Sequence, residues 1–408
     1  MPVRLRSIAT AVPTTAFAQS EIRDIFTAQP ELTRLGQRLI SAAFDASGIE
    51  TRYSVVEELS FSAQDGEPQF YDAGTGRILS PGTGARNELY IEQATPLFLD
   101  AGRRALDACP DLSTDDVTHV ITVSCTGFYA PGPDYQVVRG LGLRASTQRY
   151  HLGFMGCYAA FPALRAAKAF CDVDPNAVVL VICAELCTLH VRSSNDPDTI
   201  VANSVFADGA AAAIVTARPA PPDMPTLVLD SFETVLTPVG EADMAWKIGE
   251  AGFEMVLSGY VPRIIEEHIR GALAPLLAHD ADLPGLPYRD IEHWAIHPGG
   301  RSILDKVEIN LGLTPEQLEP SRAILHDYGN MSSATVLFVL KRILEAASPA
   351  EADAEAQTDG VRSPGSERVC AMAFGPGLTV ETALMTRVPA VAARAGADAL
   401  ISSGASAE

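Results

Sequence analysis

Three side chains in this sequence have the types and settings for acyl chemistry. Cys157 stands in Gly153-Phe-Met-Gly156-Cys157-Tyr, His297 in Ala295-Ile-His297-Pro-Gly-Gly300, and Asn330 in Gly329-Asn330-Met-Ser-Ser. A thiol in the first turn of a helix meets the positive end of the macrodipole and unpaired N–H groups, and both favour thiolate. The sequence therefore predicts a Cys157 pKa below the usual ~8.5, more so with an imidazolium beside it. A strand-end histidine followed by Pro-Gly-Gly leaves room for a substrate backbone, and strand ends carry function in α/β folds. A thiolate with His and Asn fits a cysteine peptidase. It equally fits a site where His and Asn donate hydrogen bonds to a thioester carbonyl and hold the enolate left by decarboxylation. No peptidase signature surrounds Cys157, and the glycine-rich Ala373-Phe-Gly375-Pro-Gly377 stretch offers another small-residue wall. The plain alternatives are a buried small residue for Cys157, a solvated loop histidine for His297 and a helix N-cap for Asn330.

These residues are far apart in sequence, so the elements around them must bring them together. Apolar β-type runs alternate with helical patterns, which predicts an α/β class. Strands are expected at Val117–Val123, Val178–Ile182, Ala210–Val215, Thr226–Ser231, Trp294–Ile296 and Val369–Phe374. Helices are expected at Asn87–Ala108, Tyr158–Phe170, Val256–Leu273 and Met331–Ala346. The chain also repeats itself. Asp116-Val-Thr-His119 and its strand match Asp290-Ile-Glu-His293 and its strand, Leu141-Gly-Leu143 matches Leu311-Gly-Leu313, and Gly156-Cys157 matches Gly329-Asn330 ahead of a long helix. A period of about 170 residues is too long for a solenoid and reads as one half-domain duplicated and packed on its copy. Equivalent turns would then meet across a pseudo-twofold axis. His119 and His293 match each other and are read, with His151 and His326, as structural.

Composition narrows the class. The 408 residues carry 30 Lys+Arg against 51 Asp+Glu, a formal charge of −21, which argues against a nucleic-acid partner. Seven cysteines lie without CxxC pairs or histidines at metal spacing, so no metal site is expected and the thiols point to a reducing, cytoplasmic setting. Neither a signal peptide nor a membrane span is expected. Ser348–Glu367 reads as a solvated loop and Pro389–Glu408 as a frayed tail.

Together the segments GFMGCYAAFPALR, AIHPGGRSILDKVE, HDYGNMSSATVLFVLKRIL and AFGPGLTVE, with SCTGFYAPGPDYQV, AELCTLH and VFADGAAAAIV in order, resemble the type III polyketide synthases, the chalcone and stilbene synthase-like family, over about Ser7 to Arg387. The resemblance implies a thiolase fold, a duplicated αβαβα five-layered core, with halves at 1–222 and 223–388, a tail at 389–408, and a homodimer. It implies that Cys157 carries the acyl group while His297 and Asn330 bind the thioester carbonyl and promote malonyl decarboxylation. Acyl-CoA and malonyl-CoA are then the substrates, with no metal or redox cofactor. Phe206 matches an aromatic gatekeeper and Met255 a second one; Cys125, Cys187, Leu189, His190 and Trp246 fall at pocket positions, beside the Gly375-Pro376-Gly377 loop.

Departures from the plant pattern bear on substrate. Ala130 replaces a methionine that reaches the neighbouring subunit's cavity, and Ala373 replaces a loop glycine, which would narrow the cyclisation pocket. Glu50-Thr51 stand where relatives carry basic residues for CoA, leaving Arg52. The pattern is similar to bacterial members that load long acyl chains and make alkylpyrones or alkylresorcinols; each buried CH₂ gains about 0.8 kcal/mol. Alternatives are a starter delivered on an acyl carrier protein, a carrier-dependent ketosynthase joining preformed chains, and a non-catalytic dimeric scaffold. The ketosynthase pattern His-Gln-Ala-Asn is not matched by His297-Pro-Gly-Gly.

Overall fold

The inner strands Val178–Leu186 and Asp208–Thr216 of the long central sheet are buried along their whole length because they are covered on both faces. The computed structural model describes residues 1–60, 67–346 and 365–390. Nine strands form one sheet. On one side the order is Gln148–Gly153, His119–Ser124, Val178–Leu186, Asp208–Thr216, Arg4–Ala11; on the other it is His293–Ile296, Glu367–Gly375, Thr379–Val388, Thr226–Leu236. The two sides join through only two residue pairs, Arg4↔Val228 and Leu5↔Leu227.

The duplication is visible strand by strand. His119–Ser124 runs parallel to Val178–Leu186 as His293–Ile296 runs parallel to Glu367–Gly375, and antiparallel pairs follow in both halves. Even the irregularities correspond: the register slips at Leu5/Ser7 in one half and at Leu229/Ser231 in the other. The helices Pro133–Leu141 and Arg301–Leu311 both end on a left-handed glycine, Gly142 and Gly312. Among the described residues, the Gln148–Gly153 edge strand has no counterpart in the second half.

Alternation along the strands sorts the core into layers. Val179, Val181 and Cys183 pack with the Ala160–Val173 and Thr335–Glu345 helices, which also meet Val369, Ala371 and Met385 of the second half. Val178, Leu180 and Ile182 face outward against Phe26, Phe44 and Phe98. Trp294, Cys370 and Met372 face outward against Ile265, Leu304 and Leu318. The order is helix, sheet, helix, sheet, helix, the five layers of the thiolase fold.

Local boundaries moved for identifiable reasons. The helix expected from Val256 starts at Val261, with Pro262 in its first turn; Val256 and Leu257 belong to a hairpin, Met244–Gly249 with Gly252–Leu257. The helices expected from Tyr158 and Met331 begin at Ala160 and Thr335, each after a tight 3₁₀ turn, Gly156–Tyr158 and Ser332–Ala334. Most of the loop expected at Ser348–Glu367 and of the tail at Pro389–Glu408 lies outside the described residues. No helix among the described residues is long and apolar enough to cross a membrane.

Candidate active site

The 3₁₀ turn Gly156–Tyr158 leads into the central helix Ala160–Val173 and sets Cys157 at the edge of a cavity. Gly156 has φ +78°, and a Cβ there would stand 2.7 Å from Pro376 Cδ, so the turn closes only on glycine. Gly156→Ala is expected to cost about 1–3 kcal/mol, which thermal unfolding would register as a Tm lowered by a few degrees.

The second half supplies the facing groups. His297 follows the strand His293–Ile296, and its backbone N–H donates to the Met372 carbonyl at 2.8 Å. Asn330 sits on the turn before the other central helix. Its backbone is held by a bridge to Phe206: the Asn330 N–H donates to Val205 and the Ala207 N–H donates to Asn330. The Asn330 carboxamide is oriented by its partners, with Oδ1 accepting from the Ser332 N–H at 2.9 Å and Nδ2 donating to the Gly299 carbonyl at 3.2 Å. The cavity is thus lined by Cys157, His297 and Asn330 at once, brought from both halves of the duplication.

Burial governs the electrostatics. It pushes the Cys157 thiol up to about 11, against hydrogen bonds from Ser332 and Asn330 that favour thiolate. The thiolate expected from the sequence is therefore not the resting form, because desolvation outweighs the helix terminus. Burial pushes His297 down to about 3, so the imidazole is neutral at pH 7 and no imidazolium stands beside the sulfur. Both ring nitrogens of His297 are buried and have no hydrogen-bond partner among the described residues. Such groups are costly unless a ligand completes them.

The other expected residues separate into groups. Cys125, Phe206, Trp246, Met255 and Pro376 line the reaction cavity, whereas Gly375 and Gly377 flank Pro376 without lining it. The Trp246 indole N–H donates to the Cys125 carbonyl at 2.9 Å. Cys187 and His190 line an adjoining chamber that shares Phe206, Trp246 and Met255 as walls. His190 donates through Nε2 to the Thr126 carbonyl and accepts the Phe253 N–H at Nδ1, so its role there is to fix the wall.

Ala130, read as standing where a methionine reaches the neighbouring subunit's cavity, is exposed and lines neither cavity of this chain. Three readings need correction. Leu189 is fully buried in the outer-layer core, away from both cavities, and Ala373 lies in the central core rather than in the pocket. Arg52 is 4% exposed and donates to the carbonyls of Asn203 and Phe206, so it braces the gatekeeper segment instead of meeting CoA at the surface. Its guanidinium ends up inside because strand Thr51–Ser54 packs against that segment and the Asn330 turn.

Sequence reasoning missed Ser332 and Glu185. Ser332 lines the cavity, and its hydroxyl lies 3.6 Å from Cys125 Sγ. Glu185 is enclosed below it and accepts from the Cys125 N–H at 2.9 Å, Thr126 Oγ1 at 3.1 Å and Ser333 Oγ at 2.5 Å. A carboxylate inside the apolar run Val178–Leu186 was the signal, since an acid is rarely enclosed without several donors. It ties the strand ends of the first half to the Asn330 turn of the second.

Residues 2–219 match the family model of the chalcone and stilbene synthases, N-terminal domain, and residues 228–389 match the C-terminal domain of the same family. Among solved structures the chain is similar to PKS-I from the brown alga Ectocarpus siliculosus, at 30% identity and a TM-score of 0.84, over 95% of this chain and 98% of that one. It is also similar to the C-terminal type III polyketide synthase domain of Steely1, a type I/III hybrid from Dictyostelium. There the identity is 25% and the TM-score 0.82, over 96% of this chain and 100% of that one.

Proposed function

Because the chain belongs to the chalcone and stilbene synthase family and is a type III polyketide synthase, we propose that it performs decarboxylative Claisen condensation with Cys157, His297 and Asn330. The supporting observation is the unpartnered, neutral His297 imidazole facing the same cavity as the Cys157 thiol and the Asn330 amide. The Cys157 proton passes to His297 as sulfur attacks the acyl-CoA carbonyl, and from His297 to the departing CoA thiolate. Malonyl-CoA then enters with its thioester carbonyl hydrogen-bonded to His297 Nε2–H and Asn330 Nδ2–H. Its C–CO₂ bond breaks, CO₂ leaves, and the enolate is held by those donors. The enolate carbon attacks the acyl-enzyme carbonyl, the carbon–sulfur bond breaks, and the departing Cys157 thiolate takes a proton from solvent water to return to the thiol.

The starter in this reading is a long acyl chain, extended and cyclised to a pyrone or resorcinol. Support comes from the wall of Phe206, Met244, Met255, Leu257, Ile303 and Phe374, which offers apolar surface to methylene groups. CoA is the donor rather than a carrier protein, since an acidic carrier would meet a chain of charge −21. The protein acts in the cytoplasm, where seven unpaired thiols suit reducing conditions. It acts as a homodimer, with the open Gln148–Gly153 edge, Phe128 and Ala130 facing the second copy.

Product analysis across a starter series from short to long chains, with malonyl-CoA as extender, tests this. kcat/KM is expected to rise with chain length by about threefold or more per CH₂ until the cavity fills, giving products heavier by decarboxylated extender units. A flat or falling series would overturn the long-chain reading. Absence of any extended product would overturn the condensation itself.

A further inference from the structure

The reaction cavity has a neighbour. Beyond Phe206, Trp246 and Met255 lies the adjoining chamber. Trp246 and Met255 are cross-strand partners in the hairpin and wall both spaces. The second chamber is mainly apolar, and its polar side chains are mostly engaged. His190 uses both ring nitrogens, Thr199 Oγ1 donates to Asp196, and Asn203 Nδ2 donates to the Arg192 carbonyl.

Arg192 is the exception. Arg192 lines the chamber at intermediate burial, and its guanidinium has no ion pair or hydrogen bond among the described residues. The carboxylate that feels it, Glu254, is already bound to Lys247 at 3.0 Å. A second guanidinium stands nearby: Arg86 is enclosed, donates to the carbonyls of Pro81, Leu189 and Val191, and has no carboxylate partner among the described residues. Burial, then the positive charge of Arg192, pulls Arg86 down to about 10. Two neighbouring guanidiniums, neither in an ion pair among the described residues, concentrate positive potential beside the chamber, in a chain of net charge −21. Half-desolvated cations of this kind are relieved by an incoming anion.

We propose that the second chamber receives the far end of the acyl starter and that Arg192 binds a carboxylate there. The preferred starters are then ω-carboxyacyl-CoA thioesters, half-thioesters of dicarboxylic acids, over equally long chains ending in methyl. The apolar middle of such a chain passes between Phe206, Trp246 and Met255 while its thioester end is on Cys157. This rests on the reading of Cys157 as the acyl carrier.

The test is the acylation rate of Cys157, followed by intact-protein mass, with matched pairs of CoA thioesters of equal length ending in carboxylate or methyl. At one or more lengths the carboxylate member is expected to load about five- to tenfold faster, with the ratio shrinking in high salt. The ratio should fall to about one in Arg192→Met and be partly kept in Arg192→Lys. Equal or faster loading of methyl-ended chains at every length, or an unchanged ratio in Arg192→Met, overturns the carboxylate site while leaving Cys157 as acyl carrier. Loading of neither class overturns that carrier role and the carboxylate site with it.

Discussion

Exchange of Cys157 for alanine is expected to abolish acyl loading and to lower polyketide formation by about 10⁴-fold or more, the scale seen when a covalent nucleophile is removed. The site contains other thiols, so the size of the loss depends on whether one can substitute. Cys125 lines the same cavity and Cys187 the adjoining one. Burial pushes both well above the ordinary thiol range, and the nearby Glu185 carboxylate pushes the same way. Cys157 alone combines the glycine-bounded turn with hydrogen bonds from Ser332 and Asn330 that favour its thiolate. Intact mass after incubation with an acyl-CoA should show one added acyl group in the parent protein and none in Cys157→Ala. An undiminished adduct in the variant would remove Cys157 from the mechanism.

His297→Ala is expected to lower malonyl-CoA decarboxylation by about 10²–10³-fold, the usual range for loss of one donor to a developing oxyanion. Its pH behaviour follows from burial. With His297 pulled down to about 3, the imidazole is neutral above that value, so activity should not fall through protonation of this residue between about pH 8 and 5. With the thiol pushed up to about 11, the thiolate fraction grows about tenfold per pH unit through the neutral range. Alkylation of Cys157 by a small haloacetamide should therefore climb steadily between about pH 6 and 9, with no plateau. A plateau in that window would mean a preformed thiolate–imidazolium pair, contrary to the charge states drawn from burial. The same consideration explains why His297 must take the Cys157 proton during attack rather than before it.

The residues proposed to do the chemistry were legible because each sits on a repeated sequence signal. Gly156-Cys157 and Gly329-Asn330 mark equivalent turns, and the Asp-x-x-His entries to two strands mark equivalent halves; the shared bulges and left-handed helix ends show the same duplication in three dimensions. Electrostatics was not legible. A helix terminus can be seen in a sequence, but the extent of enclosure cannot, and enclosure decided the Cys157 and His297 charge states. Arg52 failed for the same reason: a surface cation and a buried brace have the same one-letter signal, and only the packing of Thr51–Ser54 distinguishes them. The hairpin Met244–Leu257 was hidden because Phe253, Met255 and Leu257 alternate as a strand while running straight into a helical pattern.

The central claim is that two halves of one duplication divide a single reaction, with acyl transfer at Cys157 and enolate formation at His297 and Asn330. It is tested most directly by measuring acyl loading and CO₂ release from labelled malonyl-CoA side by side in Cys157→Ala and in a His297→Ala/Asn330→Ala double variant. The expected result is reciprocal. Cys157→Ala should release CO₂ without carrying an acyl group, and the double variant should carry an acyl group, at a reduced rate, with decarboxylation lost. Loss of loading in neither variant, or CO₂ release undiminished in the double variant, would contradict it.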